Sequence, residues 1–158
     1  MKEIPLTQGF VALVDDEDYD ALSRFKWNAL VVPRSDLVYA TRSVTIAPGK
    51  HRSISMHRQI MGFPLNDVDH KDRNGLNCQR YNLRACTTAQ NLANQKRRKN
   101  NTSGAKGVDW VKKDKRWRAR IEVNGTRLHL GNHKNKSDAQ VAYDDAAKKY
   151  RGEFARTA

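Results

Sequence analysis

The sequence predicts an α+β fold in which short strands and short helices follow one another along the chain. Three observations lead there. Several short apolar or alternating runs are each ended by turn or charged residues, the pattern of short strands. Ser137–Tyr150 has an unbroken helical periodicity. Asn124-Gly125 joins two alternating runs, the strongest two-residue hairpin signal. With 158 residues the chain has room for one or two domains.

Phe10–Val14, Trp27–Val32 (closed by Pro33) and Tyr39–Val44 read as short strands. Asp15–Phe25 reads as a short helix: its acidic start suits the N-terminal dipole, and Tyr19, Leu22 and Phe25 recur at helical spacing. This small N-terminal sheet region carries no obvious chemistry and reads as a support for the rest of its domain. Residues 57–95 are rich in Asn, Asp and His. There a short apolar run ends at Asp69-His70, and Asn74-Gly75 gives a hairpin-type turn. A strand-like segment comes next, then a helix that Thr87 or Thr88 can cap and that contains Asn91. These parts form a first domain, 1–95. A polar linker, 96–103, carries Lys96, Arg97 and Arg98, a composition suited to following a phosphate backbone or to a solvated tether.

The last domain, 104–158, is expected to be a three-stranded antiparallel sheet packed on one helix. Trp117, Ala119, Ile121 and Val123 alternate with Arg118, Arg120 and Glu122. After the Asn124-Gly125 turn, Leu128 and Leu130 face inward, Arg127 and His129 outward. A two-residue turn pairs Val123 with Thr126, and therefore Glu122 with Arg127 and Arg120 with His129. Val108–Val111 is the third strand. In the helix, Ala139, Ala142, Tyr143, Ala146, Ala147 and Tyr150 form one stripe. Ser137 and Gln140 suggest a capping box at its start, and Gly152 can end it. The alanines let the helix lie close to the inner face. The outer face then carries Arg118, Arg120, Arg127 and His129 around one acid, in a form that can enter a DNA major groove.

Charge and composition exclude several classes. No apolar run approaches the roughly 18 residues of a membrane span, and the start has no apolar segment of a secretory signal. Cys78 and Cys86 make neither a disulfide framework nor a paired zinc motif, so a reduced cytoplasm is expected. Residues 1–91 hold 12 Lys and Arg against 10 Asp and Glu, whereas residues 92–158 hold 18 against 7. The basic half points to a polyanion. A basic helix with a bulky apolar face, which would suit a membrane surface, is missing.

Two resemblances sharpen this reading. Gly107-Val108-x-Trp110, Trp117-x-Ala119-x-Ile121, Leu130-Gly131, Ala142-Tyr143-Asp144-x-Ala146-Ala147 and Arg151-Gly152 resemble an AP2/ERF DNA-binding domain over about residues 104–156. That resemblance implies a sheet laid in the major groove. It points to Arg118, Arg120 and Arg127, with Trp110 and Lys112 or Lys113 beside them, as DNA-contacting residues.

Asp69-His70, Tyr81-Asn82-Leu83-Arg84 and Gln90-Asn91, with Met56-His57-Arg58 upstream, resemble the HNH (ββα-metal) endonucleases of the phage and intron-encoded homing branch, over about residues 53–95. The resemblance implies His70 as the general base and Asn82 as a residue that hydrogen-bonds across the loop and holds His70 in place. It implies Asp69 and Asn91 as ligands of Mg²⁺ or another divalent cation such as Mn²⁺, in an H-N-N variant of the motif. His57 reads as a buried or capping histidine rather than a ligand. Arg73, Arg80 and Arg84 read as phosphate contacts or solvated residues.

Together these give a metal-dependent endonuclease acting on double-stranded DNA in a bacterial host cell, phage-encoded, with no protein partner evident. The alternative is a non-catalytic DNA-binding regulator with a degenerate HNH segment. An RNA-binding protein fits less well, because the A-form major groove is too deep and narrow for a sheet.

Overall fold

The fold is α+β, with several small sheets and four helices, in a computed structural model that describes residues 1–33, 35–94 and 101–155. Lys96, Arg97 and Arg98 lie outside the described residues. The chain divides into two compact units, Met1–Thr88 and Ala89–Ala158. The division falls earlier than the boundary at residue 95 that composition suggests. Within the second unit, Lys106 Nζ donates to Ala93 O at 2.6 Å and ties the segment before the linker to the one after it.

The first unit contains three small sheets. β1 (Lys2–Pro5) pairs antiparallel with β2 (Val11–Val14). Helix α1 (Asp16–Ser23) comes next, and then β3 (Asn28–Val31), β4 (Val38–Ala47) and β5 (Lys50–Ser55) form an antiparallel meander. A single turn and a half of helix, α2 (Met56–Ile60), leads to the hairpin β6 (Asp67–His70) and β7 (Leu83–Cys86). Ile4, Val14, Leu22, Trp27, Met56 and Val68 are among the side chains of one shared core. Phe25 lies beyond the end of α1 and is exposed under the Arg42 guanidinium, so it does not join Leu22 in that core.

Asn74-Gly75 is not a two-residue hairpin turn. It sits inside the twelve-residue connection 71–82, which is pinned from outside: Leu13 N donates to Leu76 O and Cys78 N donates to Leu13 O, both at 2.8 Å. Gly75 has ordinary backbone angles, but a Cβ there would lie 2.4 Å from Val38 O. It is small because β4 passes against it, not because the turn needs a left-handed residue.

The second unit begins within helix α3 (Thr88–Asn94) and continues with β8 (Val108–Val111), β9 (Arg116–Val123), β10 (Thr126–His133) and α4 (Lys136–Arg151). The sheet order is β10-β9-β8, all antiparallel. Val123 pairs with Thr126, Glu122 with Arg127 and Arg120 with His129, the register set by the Asn124-Gly125 turn; both turn residues have positive φ. Ala139, Tyr143, Ala146 and Ala147 bury the α4 stripe against Val108, Ala119 and Ile121. The helix starts at Lys136 with Asn135 at its N-cap. Ser137 is thereby drawn inside the first turn, where its hydroxyl bonds to Asp138 and Gln140 bonds to Asp144; the expected capping box is not formed.

Gly107 fixes the joint between sheet and helix. Its φ is +70°, and a Cβ there would stand 2.2 Å from the Tyr143 ring and 2.5 Å from Arg120 O. Its carbonyl accepts from Arg120 N at 2.8 Å.

Candidate functional site

Strand alternation decides the character of the first site. On β6, Asp69 pairs with Arg84 and His70 with Leu83, so Asp69 and His70 face opposite sides of the hairpin. Val68 and Leu83 belong to the core. His70 shares their face and is turned inward, with only 4 % of its surface exposed. Its ring meets His57 edge-on at 4.8 Å and Tyr39 at 5.9 Å, and its Nε2 lies 4.0 Å from Cys78 Sγ. Burial pushes the His70 pKa down from 6.5 to about 4, against the pull of the Asp72 and Asp69 carboxylates. At neutral pH the imidazole is uncharged, the form in which a histidine accepts a proton.

His57, on α2, is buried as well. Burial first, then the neighbouring His70 and Arg58, lowers its pKa to about 3. Its Nδ1 has no hydrogen-bond partner among the described residues. The Tyr39–His57–His70 cluster was not legible from motif spacing, because β4, α2 and β6 bring its three members together only in the folded unit. Burial pushes Cys78 beside it up to about 12, so the thiol is protonated and inert as a nucleophile.

Asp69 is buried on the opposite face and paired. Its Oδ2 accepts from Arg84 Nε at 3.0 Å and Nη2 at 2.7 Å, and both side chains are about nine-tenths buried. Arg84 is therefore an internal partner of Asp69 rather than a solvated arginine. Its position directly opposite Asp69 is fixed once the hairpin register is known. Arg80 is also engaged, with Asp18 and Glu17 at the N-terminus of α1, and Asp15 accepts from Gln79 Nε2 and Arg80 N. The acidic start of α1 is thus an anchor for the end of the 71–82 connection.

Asn82 is the staple of that connection. Its side chain is 1 % exposed. Its Oδ1 accepts from Asp72 N at 2.9 Å, and its Nδ2 donates to Asp72 Oδ1 at 2.9 Å and Asn77 O at 2.8 Å. Its carbonyl accepts from Lys71 N. Asn82 thus fixes the two residues after His70 and acts on His70 through the backbone. Asp72 also takes Asn77 Nδ2 at 2.7 Å. Neither Asp72 nor Asn77 stood out in the sequence, although both lie in the Asp- and Asn-rich stretch.

Asn91 lies on α3, beyond the division between the units. The two residues that the resemblance assigns to a metal, Asp69 and Asn91, supply a carboxylate and an amide oxygen. Hard oxygen donors of this kind fit a divalent cation that keeps several waters. Among the described residues no three His, Cys, Asp or Glu side chains form a metal-holding group. An ion at Asp69 meets Arg84 on the same carboxylate.

The second unit presents a different surface. Arg118, Arg120, Glu122, Arg127 and His129 share the face of the sheet away from α4. β8 adds Asp109 to that face, in register opposite Arg118. Two acids therefore stand among the arginines, where the hairpin alone suggested one. Asp109 Oδ2 accepts from Arg118 Nη2 at 2.7 Å and its Oδ1 from Arg120 Nη2 at 2.8 Å. Desolvation alone would raise the Asp109 pKa, but the two guanidinium groups hold it below the usual aspartate value. Glu122 stands 3.8 Å from Arg127.

Trp110 does not share this face. It pairs in register with Trp117, their rings 5.1 Å apart, on the helix side at the end of the sheet. Lys112 and Lys113 are exposed in the turn after β8.

No family model matches the chain, and no solved structure matches it. The chain is similar to Protein 3.8 of Escherichia phage T7, with 41% identity over 58 residues, which are 37% of this chain and 48% of that protein. The matched segment spans about half the length of this curated relative. No described helix is long and apolar enough to cross a membrane.

Proposed function

We propose that the chain is a metal-dependent endonuclease of the HNH homing type, with the arginine-bearing C-terminal sheet as its duplex-DNA-binding module. The observation that carries this reading is the β6–β7 hairpin. It sets a carboxylate and an uncharged histidine on adjacent residues and opposite faces, and closes the connection between its strands with Asn82. His70 takes the proton from a water whose oxygen attacks the phosphorus. The P–O3′ bond breaks and the departing O3′ takes a proton from solvent water, leaving a 5′-phosphate and a 3′-hydroxyl. Asn82 fixes the backbone after His70 and so its orientation. By the resemblance, Asp69 and Asn91 would each offer an oxygen donor to a divalent cation such as Mg²⁺ or Mn²⁺, which would supply charge stabilisation at the phosphate and the departing oxygen. The similarity to a phage protein supports action in the cytoplasm of a bacterial host.

The second reading, a DNA-binding regulator with a degenerate HNH segment, is favoured by one observation: His70 is buried and Asp69 is tied to Arg84. Cleavage of supercoiled plasmid carrying random inserts, with Mg²⁺ or with EDTA, separates the two. Nicking that needs Mg²⁺ and disappears in a folded, DNA-binding His70→Ala variant supports the nuclease. Nicking that persists in that variant removes His70 from its role. Duplex binding without cutting in any divalent metal supports the regulator.

A further inference from the structure

The Asp109 carboxylate joins two arginines that the DNA reading needs, on the very surface where it would meet phosphate. The pairs are shallow: the Asp109, Arg118 and Arg120 side chains are each between a third and two-fifths exposed. Ion pairs at that exposure add little to stability, so stability is a weak reason for a carboxylate there. What the acid does is geometric and electrostatic. Asp109 binds Arg118 through Nη2 and, more loosely, Nε, and Arg120 through Nη2. The other guanidinium N–H groups of both residues make no hydrogen bond among the described residues, and a planar fork held on one side presents its remaining donors in a fixed direction. The same carboxylate cancels positive charge that would otherwise bind any phosphate backbone, whatever its sequence.

We infer that Asp109 is a specificity-determining residue of the C-terminal sheet: it clamps Arg118 and Arg120 as a paired reader of base edges and lowers the affinity of that face for non-specific DNA. Glu122 is the internal comparison. It lies on the same face with the same charge, yet its ion-pair partner Arg127 is 3.8 Å away and both side chains are more than three-fifths exposed. It removes charge without clamping. The inference rests on the DNA-binding reading above.

The test uses the full chain with Asp109→Asn and Glu122→Gln, each checked for an unchanged thermal transition. Binding is measured to a duplex pool of random sequence, about three helical turns long, across a salt series, and to the pool enriched by rounds of selection with wild type. Asp109→Asn is expected to bind the random pool about fivefold tighter, with a salt slope steeper by about one, the signature of one more phosphate contact. Its preference for the enriched pool over the random pool is expected to fall at least about threefold more than that of Glu122→Gln. Equal affinity and slope in Asp109→Asn and wild type overturn the inference. Identical losses of preference in the two variants overturn the clamp and leave only net charge. If wild type binds no duplex, the inference fails together with the DNA-binding reading. If wild type binds duplex and Asp109→Asn behaves like it, only the inference fails.

Discussion

The Asp69–Arg84 pair of the first unit and the Asp109 cluster of the second handle charge in opposite ways. In Met1–Thr88 the Asp69–Arg84 pair is about nine-tenths buried, and the neutral His57 and His70 are sealed within the same unit. In Ala89–Ala158 the Asp109–Arg118–Arg120 group keeps a third or more of its surface in water. A buried pair is costly to break, because the survivor is left charged in a poorly polarisable interior; an exposed pair is cheap to exchange for another anion. The β6–β7 hairpin is therefore built to hold a fixed geometry and the arginine face of the C-terminal sheet to trade partners. Salt should discriminate between them, since it screens surface charges far more than buried ones.

The sharpest way to separate the units is Gly107→Ala. The left-handed φ and the 2.2 Å approach to Tyr143 add backbone strain to overpacking, for about 4 kcal/mol of destabilisation. Urea unfolding monitored by circular dichroism is expected to show the second unit's transition moved and the first unit's unchanged. A single shifted transition would mean that the two units unfold as one. Next comes Arg84→Met, which removes the guanidinium that donates twice to the buried Asp69 Oδ2 and is expected to cost the first unit about 3 kcal/mol in the same assay. A loss below about 1 kcal/mol would show that Asp69 does not depend on Arg84 for compensation, and the contrast between the units would collapse.

Acid sharpens the comparison further. The folded-state pKa of His57, about 3, lies below its ordinary value of 6.5. The unfolded chain therefore binds the proton first, and stability is full above pH 6.5 and lost as pH falls toward 3. By about pH 5, in EDTA, the loss due to His57 is on the order of 2 kcal/mol. A His57→Gln variant is expected to lack that part of the decline; an acid slope like that of wild type would show that His57 is not held neutral. The smallest effect belongs to Glu122→Gln. Its exposed pair with Arg127 contributes under about 0.5 kcal/mol, and the second unit's melting is expected to move by no more than the error of measurement.

The C-terminal unit was largely legible in the sequence. Strict alternation from Trp117 to Val123, a turn dipeptide that demands positive φ, and an alanine stripe each state the same fold locally, and the register of β9 and β10 came from them. The first unit was less so. β1 and β5 escaped notice: β1 is four residues long and ends on a proline, and β5 is Lys-His-Arg-Ser-Ile-Ser, a polar edge strand with little alternation. Five residues of α2 are too few to show a period. Asp69, His70 and Asn82 were visible as a motif, but their burial was not. That of His70 depends on β4 and α2 arriving from elsewhere in the chain, and no local pattern encodes that arrival. The Asn74-Gly75 turn failed for the same reason: contacts with β2 and β4 overrode a strong local signal.

The bridge from Leu13 to Asn77 has a consequence for synthesis. β1 and β2 leave the ribosome before the 71–82 connection, so the outer edge of β2 stays open until residues 76–78 arrive, and the Asp15 anchor waits for a partner 64 positions later. An uncovered strand edge in a nascent chain is a template for pairing with the wrong neighbour. The C-terminal sheet joins only strands adjacent in sequence, so its loops close over short distances and it folds quickly once complete. The stage most open to mispairing therefore lies in the first unit, where β2 waits for the 71–82 connection.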